Sequence, residues 1–296
     1  MKRIIMIALA VGLSSAVYAE DEAPMFEVKG VEVSGYLDMS IVGTSSDSTN
    51  SLSAGLDRAE VRFKSELADG VSIEAHVAGG SDEDFDLEQA YVAYSAISNV
   101  TIIGGKWLSS LGWEAFHAPD LFQYSTSATL VYPGMMNGVG ASYSTDMFTV
   151  FAAALSGIWD STDTDAENGG FEGNVRFTGI ENFTLFVGAA TEEYETYDQT
   201  LVNVWASYAL GDLLLAAEVN ALDDWSEAGR EGFGWLVMAN YAITDKLGIT
   251  LRTSALDVDA GVVNGEVEDQ KFTIAPSYVL TDNMSFVLEF NTFEDI

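Results

Sequence analysis

Between residues 31 and 293 the chain repeats one unit about seven times: a run of roughly ten residues of alternating polarity, then a connector. The connectors alternate in length. Short turns fall at Ala68-Asp69-Gly70, 95–99, 144–146, 179–182, Gly211-Asp212, Thr244-Asp245 and 281–283, and long ones between them at 44–54, 80–86, 108–136, 157–170, 192–199, 222–231 and 257–269. Within the runs the period is two, which places successive side chains on opposite faces of a strand. Arg58, Glu60, Arg62, Lys64 and Glu66 share one face, while Ala59, Val61, Phe63 and Leu67 take most of the other. Such a strand separates a charged surface from an apolar one, and so many in one chain without a domain break argue against successive soluble sandwiches.

Aromatic residues mark one end of this pattern. Tyr94, Tyr143, Phe177, Tyr208, Tyr241 and Tyr278 each fall just before a short turn, on successive strands that run towards the same side. A ring of amphipathic side chains at one height is an interfacial girdle, and strands with turns on one side and loops on the other belong to an outer-membrane barrel. In lipid only a closed sheet pairs every strand N–H and C=O. The expected fold class is therefore all-β, a transmembrane antiparallel up-and-down barrel of about sixteen strands. Fifteen are readable, the last running upward into Phe293. Even counts are the rule in bacterial barrels, so the design reads as one strand short at its close, with 126–132 as the alternative hidden strand.

The start of the chain is of another kind. Lys2 and Arg3 precede an apolar stretch, residues 4–13, and then Val17-Tyr18-Ala19, which is the layout of a signal peptide cut after Ala19. Residues 1–19 are thus expected to be a leader and 20–296 the barrel. The net charge of −34 gives nothing with which to neutralise phosphates, which excludes nucleic acid as a partner. No cofactor and no metal is expected. Cysteine is absent, and Asp163 to Gly169 lacks the glycine position and terminal glutamate of a calcium loop.

Asp86-Leu87-Glu88-Gln89-Ala90-Tyr91-Val92-Ala93-Tyr94, Gly105-Lys106-Trp107, Leu111-Gly112-Trp113-Glu114, Pro119-Asp120, Tyr124-Ser125 and Gly138-Val139-Gly140-Ala141-Ser142-Tyr143 resemble the OmpL-like β-barrel porin family. The resemblance covers residues 86–143 closely and the remainder only in strand pattern. It implies an outer-membrane channel for small hydrophilic solutes, surrounded by outer-membrane lipid, and by analogy with porins a homotrimer.

The residues that would carry such a function face the lumen and narrow it. The long connector 108–136 is the leading constriction element: it holds Trp113, Glu114, His117, Asp120 and Tyr124, shows helix-like spacing over 114–123, and is poor in the carboxylates that fill the other loops. Facing it we expect Arg58, Arg62 and Lys64 with Glu60 between them, joined by Lys106 and Arg176. Charges of both signs across a narrow gap make a transverse field; lumen salt bridges that only stiffen the wall are the other reading of the same residues. Arg230 is the only basic residue of the outer loops, so their carboxylates predict a negative mouth and a weak preference for cations. Two rival classes remain: an outer-membrane hydrolase built on His76 or His117, the only histidines, and a plugged structural or adhesive barrel.

Overall fold

In the computed structural model, which describes residues 3–14, 30–45, 50–81, 84–125, 131–159 and 169–294, sixteen strands form one closed antiparallel barrel in chain order. They are β1 (Arg3–Ser14), β2 (Val31–Ser45), β3 (Asn50–Ala68), β4 (Val71–Gly79), β5 (Asp86–Ile97), β6 (Val100–Leu108), β7 (Met135–Ser144), β8 (Phe148–Gly157), β9 (Gly170–Ile180), β10 (Phe183–Glu193), β11 (Asp198–Leu210), β12 (Leu213–Asp223), β13 (Gly232–Ala242), β14 (Leu247–Val258), β15 (Val267–Thr281) and β16 (Met284–Glu294). Each strand from β2 to β16 pairs with its sequence neighbours; at every second connection, from β3–β4 to β15–β16, a two- to four-residue turn leaves no other partner in reach.

The sixteenth strand lies where the sequence did not place it. Segment 126–130 of the expected hidden strand is outside the described residues, and Val131 and Tyr132 are not in a strand. Instead β1, within the expected leader, pairs antiparallel with both β2 and β16, from Arg3 opposite Glu294 to Ser14 opposite Tyr36. An apolar run about one strand long meets the pairing needs of two open sheet edges as well as it meets those of a leader. Without β1, strands β2 and β16 run in the same direction.

Outward faces of the strands from β2 on are mainly apolar: Leu37, Met39, Val92, Val139, Val187, Val219, Val237 and Leu251 are all exposed. Tyr94, Tyr143, Tyr208, Tyr241 and Tyr278 are exposed too, beside the short turns, as a girdle requires. Inside, the lumen is not uniformly polar. Trp107, Leu111, Met136, Leu155, Phe186, Leu201, Trp205, Leu222 and Leu256 form a buried apolar cluster against the wall from β6 to β14, with Trp113, Tyr132 and Trp159 packed on it. Three of these, Leu111, Trp113 and Tyr132, belong to the segment between β6 and β7, so that segment enters the barrel.

Candidate functional site

The segment 109–134 leaves β6 and returns to β7 through a base closed by the Ser109 N–H on the Gly134 carbonyl, 3.0 Å. Gly112, at φ +102°, turns it inward over the Tyr132 ring, where a Cβ would collide with that ring. The helix-like spacing over 114–123 yields only a single 3₁₀ turn, Ala118–Asp120. The stretch is instead held at its two ends, where the N–H groups of Ser110, Gly112 and Trp113 before it and of Tyr124 and Ser125 after it go to the barrel wall.

Wall glutamates receive them. Glu172 on β9 accepts from Ser110 N–H (3.1 Å) and from the Ser109 and Ser110 hydroxyls (2.6 and 2.5 Å). Asn203 on β11 accepts from Gly112 N–H at 3.1 Å. Glu218 on β12 accepts from Trp113 N–H at 2.5 Å, from Asn220 at 2.6 Å and from the Tyr132 hydroxyl. Glu289 on β16 accepts from the N–H groups of Tyr124 and Ser125, the latter at 2.9 Å. Glu192 on β10 does the same for Ile158 and Trp159, at 2.9 and 3.0 Å, in the next loop. All four glutamates are buried. A carboxylate that accepts from two or three donors, at least one of them a backbone N–H, is the arrangement that makes its burial tolerable.

One ion pair completes this side. Arg252 on β14 bonds Glu114, and both side chains are almost fully buried, 0% and 2% exposed. Arg252 also donates to Ser125 Oγ at 2.7 Å, and Gln123 donates to Glu114 at 2.5 Å. Burial pushes the Glu114 carboxyl up from its ordinary value, while Arg252 pulls it down.

Across the lumen, β2 to β5 carry a different cluster centred on Glu60. Arg58 donates to Glu60 at 2.9 Å and also binds Glu88; Arg62 donates to Glu60 at 2.5 Å. His76 on β4 lies 3.1 Å from Glu60, and His117 reaches it from the loop at 3.3 Å. Phe116 lies under the Arg58 guanidinium, 5.0 Å from ring centre, and Tyr36 under Arg62 at 5.6 Å. Lys64 stands opposite Glu74 and Glu32 on the same face, exposed.

Of the residues expected at the constriction, Arg58, Glu60, Arg62 and His117 thus meet, and Glu114 is on the far side with Arg252. The Asp120 carboxyl is exposed beside its 3₁₀ turn. Arg176 faces inward but on β9, stacked over Phe186 and Trp205 at 5.8 Å, away from the Glu60 cluster. Lys106 is a correction. It shares a face with Ile102 and is paired with Ala90 and Asn137 on the face of the exposed Val92 and Val139, so it points outward and reaches the Leu87 carbonyl at 3.5 Å. Gly104 and Gly105 carry no side chain to mark the two faces, which hid this in the sequence.

Residues missed by sequence reading are the wall anchors Glu172, Glu218, Arg252 and Glu289. The outer loops also hold a surprise: Arg230 is buried, its guanidinium spent on the carbonyls of Asp259 (2.9 Å), Trp225 (3.3 Å) and Gly265 (2.7 Å). Segments 82–83 and 160–168, with several of the mouth carboxylates and most of the calcium-like sequence, lie outside the described residues.

The barrel has counterparts among solved structures. The outer membrane channel DcaP of Acinetobacter baumannii matches with TM-score 0.57 at 13% identity, covering 99% of this chain and 96% of that one. OprB of Pseudomonas putida matches with TM-score 0.63 at 8% identity, covering 99% and 93%. In-vitro folded OmpT of Vibrio cholerae, a trimer form, matches with TM-score 0.53 at 12% identity, covering 99% of each. At such identities these likenesses establish the fold. Among curated proteins none matches the sequence. The family model described as "Putative beta-barrel porin-2, OmpL-like" matches residues 31–295, and the chain accordingly belongs to that family of outer-membrane β-barrel porins.

Proposed function

We propose that the protein is a channel for passive diffusion of small hydrophilic solutes, narrowed by segment 109–134 and weakly selective for cations. The observation that carries this reading is the seating of that segment across the lumen by backbone N–H bonds to Glu172, Glu218 and Glu289. A loop so held narrows a barrel, and the charged strip it leaves beside β3, with Arg58, Arg62 and Lys64 exposed in part, is a polar path. Cation preference is supported by the net charge of −34 and by the outer loops' having Arg230 as their only basic residue, which leaves carboxylates as the dominant field at the mouth.

Liposome swelling tests the channel. Small sugars are expected to enter at rates that fall steeply with size, and a barrel that excluded even the smallest would be the plugged structure instead. Reversal potentials in a potassium chloride gradient test the selectivity, with potassium expected to pass more readily than chloride and the preference fading at high salt. A hydrolase would need a nucleophile beside His76 or His117, and what surrounds them is Glu60, Glu74, Gln89 and Tyr36. The reading includes a homotrimer and removal of residues 1–19 on export, which takes β1 out of the ring and leaves β2 and β16 as edges to be joined; N-terminal sequencing of the membrane-resident protein should begin near Glu20.

A further inference from the structure

We propose that Glu60, His76 and His117 form a binding site for a divalent transition-metal ion of the zinc type, at the junction of the inserted loop with the wall. The only two histidines of the chain converge on one carboxylate, with one ligand atom from each of the three residues lying within 4.8 Å of the others. His76 Nδ1 is 3.1 Å from Glu60 Oε1 and His117 Nδ1 is 3.3 Å from Glu60 Oε2. Ligands on one tetrahedral zinc ion stand about 3.3 Å apart, from the usual metal–ligand lengths.

The hydrogen bonds around His76 fix its tautomer. The Leu108 N–H donates to Gln89 Oε1 at 3.1 Å, which identifies that end of the amide as oxygen; the other end, Nε2, therefore donates to His76 Nδ1 at 3.0 Å. His76 Nε2, 2.7 Å from Glu74, carries the ring proton. The Gln89 amide and the Glu60 carboxylate both stand within reach of this one nitrogen, and a metal ion would take its lone pair in place of the amide N–H. A carboxylate behind the far nitrogen of a histidine is also the usual support of a metal ligand, and Glu74 supplies it. The Tyr36 hydroxyl, 3.4 Å from His117 Nδ1, lies against the same point.

Arg58 and Arg62 compete with a metal for Glu60, and the surroundings allow for that. Arg58 has a second carboxylate in Glu88, and Asp38, Asp57 and Glu74 add further negative charge against Arg58, Arg62 and Lys64. The binding of an ion would join β3, β4 and the loop tip through bonds that hydrogen-bonded side chains alone do not provide.

Calorimetric titration of the chelator-treated, detergent-refolded protein with zinc, in excess magnesium to occupy the loop carboxylates, tests the site. One equivalent per chain is expected, lost in His117→Ala and in His76→Ala and weakened by about 10- to 100-fold in Glu74→Gln. His117 lies in the loop, so its variant remains decisive should the His76 variant fail to fold. No saturable zinc equivalent in the wild type, or one that survives in His117→Ala, overturns the proposal. The titration reads the protein whether or not it conducts, so its outcome is independent of the channel reading.

Discussion

The two halves of the lumen wall hold the same loop by different chemistry. From β9 to β16 the carboxylates of Glu172, Glu218 and Glu289 accept from backbone N–H groups, and Arg252 is buried with Glu114. From β2 to β5 the contacts are between side chains, and Arg58 and Arg62 keep 19% and 29% of their surface in water. A backbone donor has no rotamer to leave by and no proton to lose, whereas a part-exposed guanidinium can exchange partners. The first half is therefore a seat and the second an adjustable face, and stability and selectivity should separate along that line.

The largest effect belongs to the seat. Arg252→Met leaves the Glu114 carboxyl buried without its partner, which should cost about 3–5 kcal/mol, read as a lower denaturant midpoint; adding Glu114→Gln should recover part of the loss. Glu218→Gln and Glu289→Gln each turn an amide donor towards a backbone donor, and about 1–3 kcal/mol each is expected, with noisier single-channel currents as the loop loosens. On the adjustable face Arg62→Gln should cost about 1 kcal/mol or less, the scale of part-exposed ion pairs, yet move the reversal potential further towards cations. If Arg62→Gln destabilised the barrel as much as Arg252→Met, the division between seat and face would be wrong.

Much of this was legible in the chain itself. The alternation of ten-residue runs with short and long connectors locates β2 to β16 to within a few residues, the tyrosines before the short turns mark the girdle, and 108–136 stands out by length and by its few carboxylates. The anchors were not legible, because their partners are backbone N–H groups remote in sequence and leave no complementary residue to find. What signal exists is local: Glu218 and Glu289 are single carboxylates in mid-strand, between Ala217 and Val219 and between Leu288 and Phe290, on the inward parity. Arg58 and Glu60 were found because several charges on one parity of one strand announce themselves. The place of β1 was hidden for the opposite reason, since an apolar run without alternation fits a leader and a strand equally.

The smallest expected effect lies at the outer mouth, where the same contrast recurs in miniature. Glu227, in the loop after β12, accepts from the N–H groups of Val262, Val263 and Asn264 at 2.5, 3.0 and 3.1 Å, joining that loop to the one after β14, as Arg230 does through carbonyls. Slight desolvation pushes the Glu227 carboxyl up, but the N–H groups of Asn264, Val263 and Val262 outweigh it and hold the group below its ordinary value. A carboxylate depressed in the folded state contributes stability that is complete above its unfolded value, near pH 4 to 5, and is lost as pH falls through the folded value. The tie through Glu227 should therefore be intact at neutral pH and open only in acid, while the Arg230 tie, made by a group that does not titrate there, persists. Hydrogen exchange at Val262 to Asn264 should accelerate below pH 4 beyond the intrinsic pH trend, and Glu227→Gln should show that looser behaviour already at neutral pH. Equal protection of these amides in wild type and variant would mean that carboxylate charge does not hold the mouth together, and that the seat's chemistry is confined to the lumen.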